Sequence, residues 1–248
     1  MQGGDPRGHP VPDTEFVSCA LHANFSDNTG MNERIVAIIP ARIDSSRFPA
    51  KMIADETGKP LIQYAWEVAF SAQCITHVCI ATDSPIIADV VTAFGGEVVM
   101  TREHPNGTSR IAEVALHMDC DLVVNMQGDE PDLDPTVIDA AVAIIENHPM
   151  ATAACQLQAE EKDNEDVVKV LIDNSGLAID FTRKVEDETA KRHIGLYVYK
   201  PDFLQTYITL EPTANELQRR LEQLRALDNG YAIAVALVAP QPRSEERR

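Results

Sequence analysis

Five consecutive apolar residues, Ile35 to Ile39, run straight into a proline and a loop that holds three cations. A run without polar alternation reads as a strand buried on both faces, as in a parallel sheet covered by helices. Pro40 is expected to end that strand, because proline cannot donate to a ladder. In an open α/β sheet, the loop leaving the carboxyl end of a strand is where ligands bind. Here the loop carries Arg42, Arg47 and Lys51 within ten positions. Arginine offers a flat fork of donors and lysine a mobile point charge, so the three suit a polyphosphate. A solvated basic loop is the alternative. What sets the cluster apart is the rest of the chain, where 21 Lys and Arg face 39 Asp and Glu for a net charge of −18.

That acidity argues against a nucleic-acid partner or an anionic membrane surface. No apolar run approaches the roughly 20 residues of a membrane span. At 248 residues the chain is long enough for one large domain or two small ones. Residues 1–32 mix Gly, Pro, Asp, Asn and Ser without periodicity or a signal-type apolar segment, and are expected to form a disordered leader. The cysteines Cys19, Cys74, Cys79, Cys120 and Cys155 are odd in number, scattered and mostly set in apolar stretches. They read as reduced core thiols of a cytoplasmic protein. Cys74 and His77 form a C-x-x-H with no second pair, so no zinc site is expected there.

The chain then alternates. Leu61 to Ser71 has helical spacing, Val78 to Thr82 reads as a strand, and Ser84-Pro85 caps and opens a helix to about Phe94. Gly95-Gly96 stops that helix before a short strand, Glu97 to Met100. A β-α-β-α-β order implies parallel pairing and right-handed crossovers. In H-P-N-G-T-S-R, Gly107 permits a close backbone approach and Thr108 is expected to cap a helix to Met118. Asp121 to Met126 is the next strand, delivering Q-G-D-E-P at Gln127 to Pro131. A carboxylate at the end of a buried strand suits Mg²⁺, which takes one or two carboxylates alongside substrate phosphates. The alternative is a polar turn whose Asp129 and Glu130 face solvent. Asp134-Pro135 opens a helix to about Asn147.

The second half reads as strands at Thr152–Gln158, Val167–Ile172, Leu177–Phe181 and Ile194–Tyr199, with D-N-S-G turning the middle pair into a hairpin. Helices are expected at Pro201–Thr209 and Thr213–Asn229, then a strand at Ala232–Val238 and a polar tail over 241–248. His193 and Tyr197 stand four apart on a strand, so both point to one face. An ordinary core aromatic is the alternative for Tyr197.

Taken together, I-I-P-A-R, S-S-R-F-P-A-K, A-T-D, H-P-N-G-T-S-R, V-N-M-Q-G-D-E-P, V-V-K-V, R-H-I-G-L-Y and L-E-Q-L-R resemble the 3-deoxy-manno-octulosonate cytidylyltransferase family, from about Glu33 to Val238. The resemblance implies a Rossmann-like nucleotidyltransferase fold: a mostly parallel central sheet with helices on both faces, plus a β-rich substrate and dimerisation lobe at about 159–200, all within one domain over 33–240. It implies transfer of CMP from CTP to an eight-carbon sugar acid for lipopolysaccharide, with release of pyrophosphate, by a homodimer. Arg42 and Lys51 would clamp the phosphates with Arg47 assisting, and Thr108, Arg110 and Gln127 would contact the cytidine portion. Asp129 would hold Mg²⁺, and His193, Tyr197, Glu222 and Gln223 would line the sugar-acid pocket. A nonulosonate cytidylyltransferase and a catalytically weak or silent nucleotide-binding homologue are the alternatives.

The chain departs from the family pattern at several points. Ala50 stands where the family usually has Gly, Asn106 where it has Ser, and Ser109 where it has an acid. The element before the H-x-G-x-Y strand is reduced to T-R-K-V-E-D. The family's G-x-D-T-x-x-D-L segment, whose first Asp completes the metal site, is met here by P-Q-P-R-S-E-E-R-R. On that pattern the metal site is expected to be short of one ligand; substitution by Glu245 or Glu246 is the lesser alternative.

Overall fold

Strand β1 (Ile35–Ala41) lies inside the sheet, flanked by β2 (His77–Thr82) and β4 (Leu122–Met126), both parallel to it. The sheet continues as β3-β2-β1-β4-β8-β5-β9, with β3 (Glu97–Met100), β5 (Met150–Gln156), β8 (Lys191–Tyr199) and β9 (Ile233–Val238). Only β8 runs against the others along this path, antiparallel to both β4 and β5. The computed structural model describes residues 33–43, 51–55, 58–128, 131–184 and 187–242. The expected leader and most of the polar tail lie outside them, as do Arg47, Ala50, Asp129, Glu130, Glu245 and Glu246.

The apolar strands are buried on both faces, as their lack of alternation requires. Ile35, Ala37 and Ile39 of β1 point into a core shared with α1 (Leu61–Ser71), α2 (Pro85–Ala93) and α4 (Pro135–Ala143). Val36 and Ile38 point into the opposite core, shared with α3 (Gly107–Ala115), α5 (Pro201–Tyr207) and α7 (Leu224–Asp228). A sheet wound with helices on both sides follows directly. The hairpin β6 (Lys169–Ile172) and β7 (Ala178–Thr182) leaves the path and joins it through β8. Its turn is held by the Asp173 carboxylate, which accepts from the backbone of Ser175 and Leu177, with Gly176 at φ +85. Of the stretch expected as a lobe, β8 is therefore a strand of the central sheet.

Three local expectations are corrected. Pro40 does not end β1, which continues to Ala41; the ladder to β4 has already stopped at Ile38↔Asn125, leaving the kind of one-sided position a proline tolerates. The cap of α3 is Asn106 rather than Thr108, because the Asn106 side chain accepts from Ser109 N at 2.8 Å. The helix expected over Thr213–Asn229 is two, α6 (Ala214–Arg219) and α7, broken where Arg220 turns left-handed at φ 56.

Candidate active site

In the strand order β3-β2-β1-β4, the chain moves outward on one side of β1 and then restarts on the other. This is a topological switch point, and ligands of open α/β sheets bind outside the carboxyl ends of the strands there. Exposed Arg42 leaves β1 at that edge, Gln127 and Gly128 leave β4, and Thr82-Asp83 leave β2. Gly107 brings the start of α3 hard against β1: a Cβ there would meet Pro40 Cγ at 3.0 Å. Lys51 opens a short 3-10 turn, Lys51–Ile53, whose Met52 packs over Gly128 with its Cε where a Cβ at 128 would lie.

Two residues expected at the nucleotide have protein partners. Arg110 is buried, and donates from Nη2 to Asp83 Oδ2 at 2.9 Å and from Nη1 to Thr101 Oγ1 at 2.5 Å. Thr108 is buried, and its hydroxyl works to lower the Glu222 carboxyl. These contacts tie the start of α3 to the end of β2 and to the turn between α6 and α7.

Two of the expected sugar-acid residues, His193 and Tyr197, stand together beside β4. Because β8 is antiparallel to β4 with Met126 opposite Leu196, His193 lies beyond the carboxyl end of β4 and Tyr197 stands opposite Asn125. His193 packs edge-on against Phe181 at 5.1 Å and against Tyr197 at 5.4 Å. Thr152 Oγ1 donates to the Leu196 carbonyl at 2.6 Å, so at 2.9 Å it accepts from His193 Nε2, which carries the proton of a neutral ring. Burial pushes His193 down to about 3, consistent with that neutral form. Burial likewise raises Tyr197.

Burial also raises Glu222, against the pull of the Thr108 hydroxyl and the Arg225 charge. Its backbone carbonyl accepts from Tyr207 Oη at 2.7 Å, and Arg225 lies 5.3 Å from the Tyr207 ring. Arg225 in turn pairs with Glu216 of α6, Nε to Oε2 at 2.8 Å, which fixes the two short helices around the turn. Gln223 is buried in the same turn. Glu222 Oε1 and Asn125 Oδ1 are buried without a protein hydrogen-bond partner, which is unusual for buried acceptors and marks a place where ligand donors are suited.

Asn125, Thr152 and Tyr207 were not foreseen as site residues. A lone polar residue inside the buried run L-V-V-N-M was a usable signal for Asn125; Tyr207 reaches the site only through the tertiary packing of α5. Among the described residues, no group of three or more His, Cys, Asp or Glu is placed to hold a metal ion, and Asp129 lies outside them. No helix among them is long and apolar enough to cross a membrane. Cys74, Cys79, Cys120 and Cys155 are free thiols.

Comparison with known proteins agrees with this geometry. A family model described as cytidylyltransferase matches residues 36–233. The 3-deoxy-manno-octulosonate cytidylyltransferase of Syntrophotalea carbinolica is 47% identical over 222 residues, covering 81% of this chain and 89% of the relative. That of Geobacter sulfurreducens is 41% identical over 228 residues, covering 83% and 91%. A solved structure of CMP:2-keto-3-deoxy-manno-octonic acid synthetase complexed with CTP superposes with a TM-score of 0.81 at 34% identity, covering 85% of this chain and 92% of that one. An inositol-1-phosphate CTP transferase from T. maritima, at 14% identity and a TM-score of 0.62, shares the fold. With the switch-point site, the motif order and these relatives in agreement, the chain is a nucleotidyltransferase that belongs to the 3-deoxy-manno-octulosonate cytidylyltransferase family.

Proposed function

We propose that this protein transfers CMP from CTP to 3-deoxy-manno-octulosonate, an eight-carbon sugar acid, releasing pyrophosphate. One observation carries the reading: basic Arg42 and Lys51 border the β1–β4 switch point, and the His193–Tyr197 face lies along the other side of β4. A polyanion and a polyhydroxy acid would thus meet across one strand end. In the reaction, the sugar's anomeric hydroxyl attacks the α-phosphorus and loses its proton. The bond from that phosphorus to the bridging oxygen breaks, and pyrophosphate leaves.

Arg42 and Lys51, assisted by Arg47, would neutralise the charge that builds on the pyrophosphate. Gln127 would contact the cytidine portion from the end of β4. Arg110 would act there through the loop it holds, and Thr108 would act on the sugar-acid side through Glu222. His193, Tyr197, Glu222 and Gln223 would line the sugar-acid pocket, with Asn125 beside Tyr197. Mg²⁺ held by Asp129 would supply charge neutralisation and alignment of the α-phosphate when bound. The setting we propose is a homodimer in the cytoplasm serving lipopolysaccharide synthesis.

The test is pyrophosphate release from CTP and 3-deoxy-manno-octulosonate with and without Mg²⁺, run beside a nonulosonate and beside UTP and ATP. Metal-dependent release with the octulosonate and CTP supports the proposal. Release with the nonulosonate alone, or none with any acceptor, overturns it.

A further inference from the structure

The loop that joins β3 to α3, residues 101–106, has no regular structure of its own, yet it presents the capped start of α3 to the switch point. Two side chains three residues apart on α3 hold it. Residues at that spacing share a helix face. Arg110 takes Thr101 Oγ1 and the Arg102 carbonyl, at 2.5 and 3.4 Å. Glu113 takes the rest: its Oε1 accepts from Arg102 N at 3.3 Å, and its Oε2 meets Arg102 Nε at 3.4 Å and His104 Nε2.

The Glu113 carboxylate is nearly buried, as is the His104 ring, whereas the Arg102 side chain is 84% exposed. The exposed Arg102 head adds little. The contacts that count are the Arg102 backbone and the His104 ring. An acceptor-only carboxylate with two oxygens matches this all-donor set, which a glutamine would meet with one oxygen and one unwanted N–H. Burial works to raise the Glu113 carboxyl, but the His104 and Arg102 hydrogen bonds outweigh it and hold the group below the usual range. Glu113 is therefore ionised and bound to the loop at neutral pH.

We infer that Glu113 is a positioning residue for the nucleotide, acting through His104 and the Arg102 backbone to fix the loop that presents the start of α3. The reason the position matters is the Gly107–Pro40 approach, which leaves α3 no slack against β1. If the loop relaxes, the helix start and its cap shift relative to the strand end where the triphosphate and base would lie. The inference rests on the cytidylyltransferase reading above.

The test is steady-state kinetics on wild type, Glu113→Ala, Glu113→Gln, His104→Ala and the Glu113→Ala/His104→Ala double variant, with thermal unfolding of each. The expected result is a rise of about 10-fold in KM for CTP in Glu113→Ala, the scale of one lost charged hydrogen bond. KM for the sugar acid should stay within about twofold, and Glu113→Gln should recover part of the loss. The double variant should be no worse than either single one, because both residues act through one contact. An unchanged KM for CTP overturns the inference, as does an additive double variant. Equal damage to both substrates with a matching fall in Tm, in Gln and Ala variants alike, also overturns it. If wild type fails to use CTP, the functional reading falls and takes this one with it; if wild type is active, the variants judge this inference alone.

Discussion

Arg110 on α3 donates to the Asp83 carboxylate at 2.9 Å, so a helix start and a strand end on opposite sides of a loop are held by one buried guanidinium. Asp83 itself keeps 27% of its side chain exposed, while Arg110 keeps 4%. Removing the acid leaves a buried cation with its remaining partners, Thr101 Oγ1 and the Arg102 carbonyl. Asp83→Ala should therefore lower stability by about 2–3 kcal/mol, and Asp83→Asn by less, since the amide oxygen can still accept. Urea unfolding checks this. An unchanged midpoint in Asp83→Ala would mean that the pair does not anchor the loop.

The half-buried neutral imidazole of His193 predicts a pH dependence. Its ordinary value is 6.5 and burial takes it to about 3 in the folded protein. Between those values the unfolded chain binds the proton and the folded one does not, so stability rises with pH. The contribution is fully present above about pH 6.5 and is lost as pH falls toward 3. From pH 7 to 5 it should cost about 2 kcal/mol. In His193→Gln the slope of stability against pH over that window should flatten; an equal slope in wild type and variant would assign the acid sensitivity to other groups.

Much of the fold is legible where one residue type has one physical use. Ser84-Pro85 and Asp134-Pro135 open α2 and α4 as read, with each cap side chain accepting a backbone N–H of the first turn. The apolar runs become the strands, since nothing else in them could face water. The break at Arg220 is not legible, because L-Q-R-R-L carries no glycine or proline, and the two helices around it are held by the Arg225–Glu216 pair and the Tyr207 hydroxyl. The same divide runs through the site. Arg42 and Gln127 are readable as strand-end residues, whereas the Asp83–Arg110, Thr108–Glu222 and His104–Glu113 contacts exist only once the sheet is assembled. Arg110 illustrates the difference: the motif marks it as a nucleotide residue, and its Asp83 and Thr101 partners are visible only in the fold.

Gly128 follows β4 where Met52 folds over it. An added Cβ would overlap Met52 Cε and touch Ile39 Cγ2 at 3.4 Å. The methionine end can swing aside, but it belongs to the turn that begins with Lys51. Gly128→Ala should therefore act mainly on nucleotide handling, with KM for CTP raised several-fold and stability lowered by about 1–2 kcal/mol, the range of mild overpacking. Gly128→Ala combined with Met52→Ala should restore part of the CTP affinity, because the clash is then removed. No restoration in the double variant would separate Met52 from the effect.

Thr108 provides the sharpest distinction between motif and geometry. It sits on the nucleotide-side helix, so reading by position predicts that its loss weakens CTP. In the structure its hydroxyl works to lower the Glu222 carboxyl, whose Oε1 is buried without a protein partner. Thr108→Val keeps the shape and deletes the hydroxyl, leaving a buried carboxyl with less support and a value pushed higher still. A protonated or displaced Glu222 would meet a polyhydroxy acid poorly. Losing that polar support should raise KM for the sugar acid by up to about 10-fold, the scale of one charged hydrogen bond, with KM for CTP changing far less. Thr108→Ser, which keeps the hydroxyl, should stay near wild type in both. Measured side by side, a larger effect on CTP than on the sugar acid would return Thr108 to the nucleotide and remove the Glu222 link from the pocket.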